Sequence, residues 1–83
     1  MLVLTAECLE VEAARAGLTV SVHSEKDTTR EVAVLEPSGL VWPVPPDYDR
    51  TVDLVAHPVP GGYEVEAVSD RGRAFLARVG TSG

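Results

Sequence analysis

The sequence predicts an α+β domain in which one N-terminal helix packs on a sheet of five to six antiparallel strands. Three observations carry this. Apolar residues recur at helical spacing near the N-terminus, between matching start and stop signals. From Leu18 onward the apolar period changes to two. Clusters of Pro, Gly, Ser and Asp then punctuate the alternating segments. A small, partly closed SH3-like barrel with one helix is the alternative, because short strands joined by tight turns also suit closure.

The helix is expected over residues 6 to 16. Thr5 is placed to accept from the amides of the first turn, and Glu7 stands where the positive end of the helix dipole favours an acid. Gly17 offers the left-handed position that closes a helix, with Leu18 following it. Ala6, Leu9, Ala13 and Ala16 form one stripe. A helix this short is unstable alone and must pack. The apolar residues 1 to 4 before it are suited to a short strand.

Strands are expected over 18 to 24 and 30 to 36, joined by the polar stretch Ser24-Glu-Lys-Asp-Thr-Thr. In the first, Leu18, Val20 and Val22 share a face. In the second, Val32 and Val34 share one face, and Glu31, Ala33 and Leu35 the other. Two more strands are expected over 51 to 57 and 63 to 68, linked by Pro58-Val-Pro-Gly-Gly. Ser69-Asp-Arg-Gly reads as a turn into a last strand over 73 to 79, with Phe75, Ala77 and Val79 inward. Residues 80 to 83 read as a tail. Between the halves, residues 40 to 50 hold the single Trp and Pro43, Pro45 and Pro46, which stiffen the chain and remove ladder donors. This stretch reads as an extended crossover. The whole chain, 1 to 83, is expected to be one domain, since a length of 83 supports only a small core.

Composition narrows the function classes. Hydrophobic residues make up 45% and charged residues 24%, values typical of packed globular proteins. Thirteen acids against seven bases leave a net charge of −6, which disfavours direct nucleic-acid binding because phosphates need a basic patch. An acidic surface can instead meet a basic protein, or imitate nucleic acid. The single Cys8 forms no internal disulfide and fits a reducing compartment. The first residues lack the basic and apolar regions of a secretory signal, and no apolar run approaches the roughly 20 residues needed to span a bilayer. A cytoplasmic protein without membrane contact is the expectation.

No nucleophile motif, phosphate cradle or calcium-loop spacing is present. The expectation is therefore a protein that is not an enzyme and needs no cofactor or metal. His23 and His57 both project from the outer face of their expected strands. They are the alternative basis for a metal- or ligand-binding protein, or an enzyme.

One short helix covers one face of a sheet, so Leu35, Val55, Val68 and Leu76 are expected on the open face as a contact surface. Trp42 and Tyr48, beside Asp47 and Asp49 on the stiff crossover, are expected to add to it. The function expected is a small acidic protein-binding module: an inhibitor, antitoxin, immunity protein, phage-encoded antagonist or regulatory partner. Its partner is another protein or a second copy bound through the open sheet face. The alternative is a nucleic-acid mimic using Glu10, Glu12, Glu64 and Glu66 together.

Overall fold

Residues 2–48 and 51–82 are described by a computed structural model. The chain runs through β1 (Leu2–Leu4), α1 (Ala6–Ala16), β2 (Val20–His23), β3 (Glu31–Glu36), β4 (Gly39–Val41), β5 (Leu54–Val59), β6 (Gly62–Ala67) and α2 (Asp70–Ser82). The six strands form one sheet in the order β1-β6-β5-β2-β3-β4. The class is α+β as expected, with two helices and one parallel strand pair where the sequence indicated one helix and a wholly antiparallel sheet. The sheet is open, with β1 and β4 as its edges, and is not a barrel.

α1 has the expected bounds, and both ends are built as its sequence dictates. The Thr5 hydroxyl accepts from the Cys8 amide at 3.1 Å. Gly17 adopts φ 71°, and its amide turns back onto the carbonyls of Ala13 and Ala14. A side chain at that φ would be strained.

β2, β3 and β4 form an antiparallel meander, and β5 and β6 a hairpin to which β1 adds antiparallel. β2 and β5 join these two units in parallel, with Val20 beside Leu54 and Val22 beside Ala56. No tight turn can connect parallel neighbours, so the chain needs a long return. The stretch between β4 and β5 supplies it, and the crossover expected over 40 to 50 is shortened at its start, where Leu40 and Val41 pair with β3 as part of β4.

The main core lies between the two helices and one face of the sheet. Leu9 and Ala13 of α1 and Phe75 of α2 close on Leu4, Val20, Leu54, Ala56 and Val65. Each fully buried Val or Leu here contributes about 1.5–3 kcal/mol. Leu35 pairs with Val20 and Ala33 with Val22, so these two β3 residues face the helices while Val34 faces away. That reverses the faces expected for β3. Its apolar residues occupy both alternation phases, and Val34 is fully buried on the second face, so period-two reasoning finds no polar side to orient it.

Residues 70 to 82 are helix rather than a turn, a strand and a tail. The Ser69 hydroxyl accepts from the Gly72 amide at 3.0 Å, which makes Ser69 an N-cap, and Asp70 occupies the first turn. Gly72, Phe75, Leu76 and Val79 recur at spacings of three and four, the helical period, although Phe75, Ala77 and Val79 also fit a period of two. Gly72 itself is buried against the chain at Asp53, where a Cβ would run into the Asp53 carbonyl oxygen. α2 thus approaches the sheet as closely as its backbone allows.

Candidate functional site

With both helices on one side, the other side of the sheet is left to loops and solvent. Across β2, β3 and β4 this second face is occupied. Val34 and Ser21 are buried there although no helix covers them. In the stretch that returns from β4 to β5, Val44, Tyr48 and Val52 are half-buried and the Tyr48 hydroxyl oxygen is enclosed. The Ser21 hydroxyl donates to the Glu31 carboxylate. The Ser21 hydroxyl is thereby satisfied.

From the β2–β5 seam toward β6 and β1 the second face is only partly covered: Val3 and Glu66 are exposed, and His23, Val55, His57 and Glu64 half-buried. Val22 and Ala56 are neighbours in the parallel pair, so His23 and His57 follow them side by side. Their rings meet edge to face, with centroids 5.1 Å apart and planes inclined at 74°. His23 Nδ1 lies 2.7 Å from the Thr28 carbonyl oxygen; that oxygen only accepts, so Nδ1 carries the hydrogen. His57 Nε2 lies 3.6 Å from a Glu66 carboxylate oxygen, and Glu64 is the residue directly opposite His57 on β6. Val55, half-buried, stands opposite Glu66. The face therefore combines two imidazoles, two carboxylates and an apolar neighbour.

The expected contact residues divide. Trp42 follows β4 at the sheet edge and is 71% exposed, while Tyr48 turns inward. The two aromatic side chains thus differ, Trp42 standing in solvent and Tyr48 half-buried. Asp47 is exposed, and Asp49 lies outside the described residues. Val55 keeps its expected place on the second face. Val68, just beyond β6, is 49% exposed, and its amide donates to the Asp53 carbonyl. Leu35 and Leu76 do not belong to the open face. Leu35 faces α1 with Ala6, Leu9, Val22, Leu40 and Tyr63, and Leu76 packs from α2 against the main core.

One exposed residue not singled out from the sequence is Leu40, 65% exposed on β4 and two positions from Trp42. The uncharged run from Pro37 to Pro46 was its signal. The adjacency of His23 and His57 depends on a parallel pairing that no local pattern carries. Glu10 and Glu12 lie on α1, whereas Glu64 and Glu66 strands alternate away from the Tyr63, Val65 and Ala67 that face the helices. These four acids fall on opposite sides of the sheet.

Comparison with protein-family models, with curated proteins and with solved structures finds no match to this chain. Among the described residues, no helix is long and apolar enough to cross a membrane.

Proposed function

We propose that the chain is a protein-binding module that acts by occupying a partner, as an inhibitor, antagonist or regulatory subunit, and that Trp42 is its anchor. The observation that carries this is the 71% exposure of the only Trp. A domain of 83 residues has few large apolar side chains with which to build a core, and this one leaves its largest at the sheet edge. Leu40, also exposed, extends the apolar surface along β4. An exposed aromatic residue beside an apolar neighbour is the usual centre of a protein contact. With a net charge of −6 on the chain, the partner that fits has an apolar pocket within a basic surface.

The test is affinity capture from native host lysate, with wild type and Trp42→Ala compared side by side. A partner held by the wild type and lost by the variant supports the proposal. Equal capture by the two excludes Trp42 as the anchor. Light scattering after gel filtration identifies a second copy as the occupant if the wild type is a dimer and the variant a monomer.

A further inference from the structure

We infer that His23 and His57 form a binding site for a divalent late transition-metal ion, of the zinc, nickel and copper class, on the second face of the sheet. This does not rest on the protein-binding reading. The two residues lie 34 positions apart in sequence, and they are the only histidines in the chain. The parallel pairing of β2 with β5 brings them together.

The geometry suits two imidazoles on one ion. With metal–nitrogen bonds of about 2.0–2.1 Å and a tetrahedral angle, the two ring centroids stand about 5 Å apart. The observed separation is 5.1 Å, and because the rings stand edge to face, one imidazole turns about its side-chain torsions to aim its nitrogen at the shared ion. The hydrogen bond from His23 Nδ1 to the Thr28 carbonyl fixes the tautomer and leaves Nε2 with its lone pair, the arrangement that a backbone carbonyl imposes on metal-binding histidines. Among the described residues, no group of three or more His, Cys, Asp and Glu side chains is gathered to hold an ion. Two imidazole nitrogens are thus the protein ligands, and water fills the remaining positions. Glu66, 3.6 Å from His57 Nε2, and Glu64, opposite His57, supply negative charge and accept hydrogen bonds from the bound waters. Imidazole selects this class of ion over calcium and magnesium, which prefer oxygen ligands.

Zinc chloride is the probe, titrated calorimetrically into full-length protein carrying Cys8→Ser. That change removes the one thiol, which lies on α1 across the sheet. One ion per chain is expected. His23→Ala and His57→Ala should each weaken binding at least about tenfold, and Glu66→Gln by about tenfold, as loss of an outer-sphere partner does. Proton NMR of the Cys8→Ser chain, with both histidines in place, gives a readout that needs no further variant to fold: both imidazole Cε1–H signals should move together as zinc is added. Movement of only one, or of neither up to about 1 mM zinc, overturns the site. So does an affinity that survives His57→Ala.

Discussion

Asp53 is the residue through which the parts of this fold communicate. Its carboxylate accepts from the Thr19 amide at 3.2 Å and from the Ser69 hydroxyl at 2.6 Å, and its carbonyl accepts from the Val68 amide at 3.0 Å. Asp53 is buried, and its partners Thr19 and Ser69 are half-buried. Asp53→Ala is expected to cost about 3 kcal/mol in urea unfolding, the scale of lost hydrogen bonds to a charged group. Gly72→Ala pushes α2 off the Asp53 carbonyl and should cost about 1–3 kcal/mol by the same measurement. Trp42→Ala should change stability by no more than about 0.5 kcal/mol, because the side chain is mostly in solvent. A large loss of stability would show that Trp42 belongs to the fold. Asp27 supplies a pH-dependent contact. The Thr29 hydroxyl and amide donate to its carboxylate and, with the nearby Arg30 charge, hold its pKa below the ordinary aspartate value. Because the folded value is the lower one, the contribution is present above the unfolded pKa and is lost as pH falls through the folded one. An NMR titration should show the Thr29 amide resonance moving in that acid range, and Asp27→Asn should abolish the movement.

Among the elements, α2 shows most clearly how a local pattern becomes a helix. Ser69 caps its first turn and also donates to Asp53, so one hydroxyl ties the helix start to the residue just before β5. Arg71 then donates to the carbonyl of Gly17 at 2.8 Å, meeting the C-terminal end of α1 with a positive charge. Ser69→Ala should therefore cost more than the ~1 kcal/mol of a simple cap, and circular dichroism should record the lost helix. An unchanged spectrum and midpoint would mean that the cap is not needed. α1 and most strands could be read in advance because cap, period and turn agree there. α2 could not, because Phe75, Ala77 and Val79 fit both periods and only contact with the sheet decides between them. Ala77 lies exposed while Leu76 packs inward, the helical outcome.

For the whole molecule, the decisive feature is the parallel seam between β2 and β5. It places the two central strands in the middle of six, with β1 and β4 outside. Amide hydrogen exchange should be slowest in β2 and β5 and fastest at the short edge strands β1 and β4. Equal protection across the sheet would contradict this order. The seam also decides the candidate site. The sequence shows that His23 and His57 each lie outward on a strand, and that Trp42 sits in a stiff, uncharged stretch. It does not show that the histidines touch, that Trp42 points to solvent while Tyr48 turns in, or that Leu35 faces the helix. By itself the sequence determined the α+β class, the ends of α1, the two β-hairpin units and the acidic surface, because those follow from near neighbours, spacing and composition. Tertiary structure alone decided the parallel pairing, the second helix and the side of the sheet each β3 residue faces. Those depend on which surfaces remain to be buried once the other elements have met, and local periodicity is the same for either outcome.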